Sequence, residues 1–280
     1  MSAVPIPKLA GVCGWPIHHS LSPQLHSYWL RRSGVAGAYI PFLVRPDTAI
    51  EAFRSLTKTS IVGVNVTLPL KTLAYEAADE RSEDAQSLGV ANVLYKRGRK
   101  LIAHNTDREG FAAPLVERIS PQMLRHSTAV VFGAGGAARA VLGALVGLGL
   151  PEIRLCARRE AQARALADDF ALPSLYVTDW AARDTVVRGA GLIVNATAGG
   201  MAGKRPLDVS LAKADPGALA YDLIYTPRDT PFLKDARKHG LDTLGGLDML
   251  IGQARPSFKL FYGQAPNPDA DPTALLEHLL

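Results

Sequence analysis

One stretch narrows the possible folds more than any other. Residues 128–149, TAVVFGAGGAARAVLGALVGLG, pass from a β-branched run through Gly133, Gly135 and Gly136 into an Ala-rich helix. In the pattern G-x-G-x-x-G/A the glycines allow a tight turn, close backbone approach to a pyrophosphate and close packing of helix on strand. The helix N-terminus then offers unpaired N–H groups and the positive end of its dipole to the phosphates. Ala134 and Ala137 complete the turn, and Ala138 takes the third small position. A helix packed tightly on a strand needs the same small residues, so the glycines alone decide little. The strand before, the helix after and a second strand at the right distance favour a dinucleotide site.

The end of that second strand bears on which dinucleotide is bound. An Asp or Glu about 20 residues on would hold a ribose 2′-hydroxyl, whereas Arg suits a 2′-phosphate. Here IRLCARRE ends in Arg158 and Arg159, with an acid only at Glu160. Guanidinium forks match phosphate geometry and stack on adenine, so NADP is favoured over NAD. The competing reading is a pair of solvated arginines at a helix start. The same arginines argue against an S-adenosylmethionine site, where an acid would be wanted for the ribose.

The chain has 280 residues, 48% hydrophobic and 20% charged, the profile of a globular protein with a sizeable core. No apolar run approaches the roughly 20 residues of a membrane helix, and the N-terminus lacks a secretory pattern. Cys13 and Cys156 suggest neither a disulfide framework nor a zinc site, and the histidines show no ligand spacing, so no metal is expected. A cytoplasmic protein is the simplest reading. The net charge of +5 is modest, and its clusters RGRK (97–100) and ARR (157–159) lie far apart. Nucleic-acid binding is therefore not expected; a mild positive balance is also what a protein handling phosphates and carboxylates would show.

Before the glycine turn, LAGVCGW, AYIPFLV and IVGVNVTLP alternate with helical segments in a β–α–β rhythm. GVANVLY and LIAHNTD flank the turn KRGRK as a hairpin. The expected division is an α/β domain over 1–107, a Rossmann-type domain over 108–245, and helices over 246–280 that return to the first domain.

Alternation in IVGVNVTLPLK puts Val62, Val64, Val66 and Leu68 on one face, read as core, and Ile61, Gly63, Asn65 and Thr67 on the other. Asn65 and Thr67 thus stand together at a strand's C-terminal end, where open α/β layers bind ligands. Pro69 stops the strand, and Lys71 follows; alone, such a lysine is an ordinary surface residue. In HHSLSPQLHSYWLRRSG, Ser22 followed by Pro23 fits an N-cap and Gly34 a helix stop. A helix start bearing the Ser20 and Ser22 hydroxyls also suits a carboxylate. HNTD adds Asn105, Thr106 and Asp107 at a strand end, where an Asp could simply cap a helix, and VAN adds Asn92.

SLSPQLH, NVTLPLK, VAN, NTD, GAGGAAR and the late GLDMLIGQA occur in that order across nearly the whole chain. This resembles the shikimate dehydrogenase family, which reduces 3-dehydroshikimate to shikimate with NADPH. The resemblance implies a catalytic pair at Lys71 and Asp107. It implies substrate binding by Ser20, Ser22, Asn65, Thr67, Asn92, Tyr225 and Gln253. Cofactor contacts are expected from Gly133, Ala134, Gly135, Gly136, Ala137, Arg158 and Arg159, and also from Thr197 and Gly246. The implied fold is an N-terminal α/β substrate domain plus a Rossmann-type domain, in a monomer or homodimer. Several positions depart from the common family form: Leu70 for a frequent His, Val93 after Asn92, Arg108 for Gly, Asp248 at a small position, and Ser27 for Asn. These leave quinate, an aminoshikimate or another ring polyol acid open as substrates. A fold-retaining regulator without turnover is the reading from a different class, and an intact Lys71 and Asp107 argue against it.

Overall fold

The computed structural model describes residues 6–280. The chain divides into two compact units. One comprises the chain up to Thr106 and then Ile251–Leu279; the other comprises Asp107–Leu250 and the terminal Leu280. No described helix is long and apolar enough to cross a membrane.

The first unit is built on β1 (Lys8–Gly14), β2 (Gly37–Leu43), β3 (Ile61–Val66), β4 (Glu80–Arg81), β5 (Val93–Arg97) and β6 (Lys100–His104), ordered β2-β1-β3-β5-β6-β4. β1 runs parallel to both β2 and β3, whereas β5 is antiparallel to β3 and β6. Gly98, at φ 64°, makes the β5–β6 hairpin turn that KRGRK suggests. Val64 and Val66 are core, as alternation requires, but Val62 is only partly buried and Leu68 is 60% exposed. β3 ends at Val66, so the two-residue period does not reach Leu68. Leu70 instead turns inward and joins Phe53, Val64 and Ala74 in the core.

The C-terminal segment belongs to this unit. The helix Gly246–Tyr262 enters it at Ile251. Trp29 Nε1 donates to the Ala270 carbonyl at 3.0 Å, and the Tyr262 hydroxyl donates to the Ala38 carbonyl. Phe258 and Phe261 close an aromatic cluster around His26, whose ring stacks on Tyr39 at 3.9 Å. Burial pushes the His26 pKa down to about 3, so the ring is neutral and acts as an apolar plate.

The second unit holds β7 (Thr128–Phe132), β8 (Glu152–Cys156), β9 (Leu175–Thr178), β10 (Ala190–Asn195), β11 (Leu219–Asp222) and β12 (Asp242–Leu244). Their order, β12-β11-β10-β7-β8-β9, is parallel throughout. Alternate residues of β7 feed two cores: Ala129 and Val131 pack on one face, Val130 and Phe132 on the other. That is the pattern of a doubly wound sheet covered on both sides. The strand order reverses between β7 and β10, and such a switch point is where open α/β sheets bind ligands, beyond the strands' C-terminal ends.

Candidate active site and cofactor cradle

At the C-terminal end of β7 the chain turns at Gly133, whose φ of 111° suits only glycine. A Cβ there would lie 2.9 Å from Thr197 Cγ2 and 3.0 Å from the Ala196 carbonyl oxygen. Gly133 therefore seats the turn against the end of β10, across the switch point. Gly135 is different. A Cβ built on it would meet nothing within 4 Å. It faces open space in front of the 12-residue helix Gly136–Gly147, the room a diphosphate requires at a helix N-terminus. Arg158 and Arg159 are exposed just beyond β8, whose Cys156 is in register with Phe132. The two arginines thus follow the strand next to the one that ends in the glycine turn, and the residues present fit an NADP molecule.

Two other expected cofactor residues have internal duties. Thr197 Oγ1 donates to Asn195 Oδ1 at 2.8 Å and accepts from Gly199 N at 2.9 Å. Gly246 is required by packing: a Cβ there would fall 2.3 Å from the Leu223 carbonyl oxygen. Tyr225 follows β11 in the segment that leads to the helix Pro231–Lys238.

In the first unit, hydrogen bonds join most of the expected substrate-binding residues. The Tyr39 hydroxyl donates to Asn65 Oδ1 at 2.8 Å. Asn65 Nδ2 donates to Ser257 Oγ at 2.9 Å and to the Asn92 carbonyl at 3.3 Å. Ser257 shares a hydrogen bond with Thr106 Oγ1 at 3.2 Å and donates to the Gln253 carbonyl at 3.0 Å. Asn92 Oδ1 accepts from Thr106 N at 2.8 Å, and its Nδ2 reaches Gln253 Oε1 at 3.5 Å. Ser22, Asn65, Asn92, Thr106 and Ser257 are all buried. Burial also pushes the Tyr39 hydroxyl well above the ordinary tyrosine range, so it stays a proton donor.

Ser22 is not the N-cap of its helix. The helix starts at Ser22 itself, after Leu21, with no side-chain cap. Ser20 Oγ accepts from Ser22 N at 3.3 Å and remains half-buried, as does Thr67. Lys71 opens the helix Lys71–Ala77, and its carbonyl accepts from Ala91 N at 3.0 Å. Asp107 is the first residue of the helix Asp107–Arg118. Tyr39 and Ser257, the two connectors of this network, carry no motif of their own. The spacing of Ser257, four residues after Gln253 and so on one helical face, was the available signal.

A dinucleotide cradle at the switch point of a doubly wound sheet, in a chain whose other unit gathers buried hydroxyl and amide groups, defines the class of two-domain dinucleotide-dependent dehydrogenases. Residues 12–94 match the family model of the shikimate dehydrogenase substrate binding domain. The chain is 41% identical over 275 residues to a shikimate dehydrogenase (NADP(+)) of Paracoccus denitrificans, covering 97% of each. The solved structure of shikimate 5-dehydrogenase from Thermus thermophilus, in complex with NADP(H) and shikimate, superposes with a TM-score of 0.84 at 33% identity. That match covers 94% of this chain and 96% of the other. Quinate dehydrogenase from Corynebacterium glutamicum, in complex with NAD, superposes at 0.83 with 28% identity over 93% and 95%. The chain belongs to the shikimate dehydrogenase family.

Proposed function

We propose that this protein catalyses the reversible, NADPH-dependent reduction of 3-dehydroshikimate to shikimate, with Lys71 and Asp107 as the acid–base pair. The observation that carries the reading is the 41% identity, over 97% of both chains, to an NADP-dependent shikimate dehydrogenase. The bound cofactor supplies the hydride. As hydride reaches the carbonyl carbon, negative charge develops on oxygen and requires a cation or proton donor beside it. The Lys71 ammonium meets both needs, and Asp107 orients it and extends the proton path. In the reverse direction the neutral amine takes the hydroxyl proton.

The Lys71 carbonyl accepts from Ala91 N, and the neighbouring Asn92 accepts through Oδ1 from Thr106 N. Asn65, Thr67, Asn92 and Gln253 offer amides and a hydroxyl for ring hydroxyls, while Ser20 and Ser22 take the carboxylate. A site that pairs its polar groups with substrate hydroxyls rejects analogues lacking them by up to about 10⁴–10⁵-fold. Arg158 and Arg159 read the 2′-phosphate.

The test is NADPH oxidation on 3-dehydroshikimate, with a reverse panel of shikimate, quinate and aminoshikimate run with NADP and NAD. Turnover with shikimate and NADP should exceed every other pair. Lys71→Ala should lower kcat by about 10²–10⁴-fold, the usual worth of general acid–base catalysis. Full turnover by that variant removes Lys71 from the mechanism. Preference for quinate moves the protein to another branch of the family.

A further inference from the structure

β10 and β11 end side by side in register, with Asn195 beside Asp222. Both side chains are wholly buried, and neither has a part in the reading above. The Asp222 carboxylate gathers donors from three pieces of chain. Asn195 Nδ2 and Ile224 N each reach one oxygen at 3.0 Å, and the Thr230 hydroxyl reaches the other at 2.6 Å. Thr230 also caps the helix Pro231–Lys238 by accepting from Leu233 N. Asn195 reaches the opposite way. Its Nδ2 donates to the Gly199 carbonyl at 3.1 Å, and its Oδ1 accepts from Thr197 N at 3.0 Å and from the Thr197 hydroxyl.

One carboxylate–amide contact therefore joins the segment 195–200, which carries Thr197, to the segment 222–230, which carries Tyr225. The linkage continues to the glycine turn, because Thr197 and Ala196 pack against Gly133 more closely than any Cβ would permit. A buried carboxylate is costly and is kept only where its oxygens are fully used. An apolar side chain would fill the same space, but only an acceptor with several lone pairs can fix N–H and O–H groups from separate loops at one point.

We propose that Asp222 is a positioning residue: through Asn195 it sets the spacing between the Gly133 turn, the Thr197 segment and the Tyr225 segment, and so aims the cofactor's reactive end. This rests on the dinucleotide reading given above. Asp222→Ala, Asp222→Asn and Asn195→Asp test it at pH 8. Three measurements apply: NADPH affinity by fluorescence, kcat and KM with 3-dehydroshikimate, and hydrogen exchange of residues 195–200 and 222–230.

Asp222→Ala should weaken NADPH about tenfold, a loss equal to ~1.4 kcal/mol. It should lower kcat about 100-fold, the scale of a 1 Å misplacement, and both segments should exchange faster. Asp222→Asn should recover most of both losses, since its oxygen keeps Asn195 and Ile224 while its amide donates to Thr230. Asn195→Asp keeps the acceptor for Thr197 but loses the donor to Asp222, and should behave like the alanine variant. It carries the comparison if Asp222→Ala does not fold. A folded variant with a lowered melting temperature but wild-type NADPH affinity, kcat and exchange would reduce Asp222 to a stabilising group and overturn the proposal. If the wild-type protein reduces no ring ketone, the functional reading fails, while the variants' NADPH affinities and exchange rates still decide the role of Asp222.

Discussion

Replacing Ser257 by alanine isolates the connector of the substrate-side network. The side chain is fully buried, and the change removes one oxygen without a sizeable cavity. Asn65 Nδ2 loses the acceptor it reaches at 2.9 Å and keeps only the longer bond to the Asn92 carbonyl, so one of its N–H groups is left without a partner. Thr106 Oγ1 keeps Asn92. An unpaired buried donor costs about 1–3 kcal/mol. With the lost bond to the Gln253 carbonyl, the total comes to roughly 2–3 kcal/mol by the same scale. The Asn65 amide would be held by Tyr39 and the Asn92 carbonyl alone and so less firmly, and the KM for shikimate should rise about tenfold while the KM for NADP stays unchanged. Urea unfolding in a Trp180→Phe background confines the tryptophan signal to Trp15 and Trp29 of the first unit. The midpoint should fall with an unchanged slope. Combining Ser257→Ala with Thr106→Val should give a coupling energy within the ~0.5–3 kcal/mol seen for residues in contact. A loss below about 0.5 kcal/mol, the range of an ordinary surface change, together with an unaltered shikimate KM would refute the network's role.

The cofactor side offers a discriminating substitution. Arg158→Ala should weaken NADPH far more than NADH, measured as separate Kd values; equal losses would mean that this guanidinium does not read the 2′-phosphate. Stability against pH tests the burial of Asp222. Desolvation raises its pKa from 3.8 to about 6, against the opposing bonds from Thr230, Ile224 and Asn195. The native state therefore holds its proton over a range where the unfolded state has released it, and this contribution to stability falls as pH rises from about 4 to about 6. A shift of about two units corresponds to about 3 kcal/mol. Urea unfolding at pH 4 and pH 8 should show wild type losing about that much relative to Asp222→Asn; parallel behaviour of the two proteins would show that Asp222 does not titrate there.

Local pattern carried much of this structure. The glycine turn, the arginines after the next strand and the KRGRK hairpin each depend on residues close in sequence, where turn geometry and two-residue alternation act directly. Alternation misplaced Leu68 because a period holds only within the strand, and β3 stops at Val66. The Ser22–Pro23 pair suggested a cap, but the helix begins one residue earlier, with Leu21 in the cap position and Ser22 already inside the first turn. Tyr39 and Asn65 are 26 residues apart, Asn65 and Ser257 192 apart. No local signal reports such pairs. Asn195 and Asp222 share that difficulty: their contact follows from the register of β10 on β11, and a buried Asp in an apolar run is its only trace in sequence.

The positions that depart from the common family form bear on substrate choice, and packing accounts for three of them. Leu70 is fully buried in the core of the first unit. Val93, also fully buried, sits in β5 opposite Asn65 and His104. The Arg108 guanidinium lies against Gly147 at the end of the helix Gly136–Gly147, 2.6 Å from where a Cβ would stand, so this arginine and that glycine suit one another. Asp248 is an exposed residue of the second unit whose pKa is raised by partial desolvation against the opposing charge of Arg118. A residue that selects between ring acids must present a polar group to a ring substituent. Leu70 and Val93 have none to offer, and the interactions of Asp248 lie with its own unit. The groups suited to that task, Ser20, Ser22, Asn65, Thr67, Asn92 and Gln253, keep the identities expected of a shikimate site. Under the proposed function, discrimination among shikimate, quinate and aminoshikimate would rest on these side chains and on the connectors that hold them, and substitutions at Leu70 or Val93 should change stability before they change substrate preference.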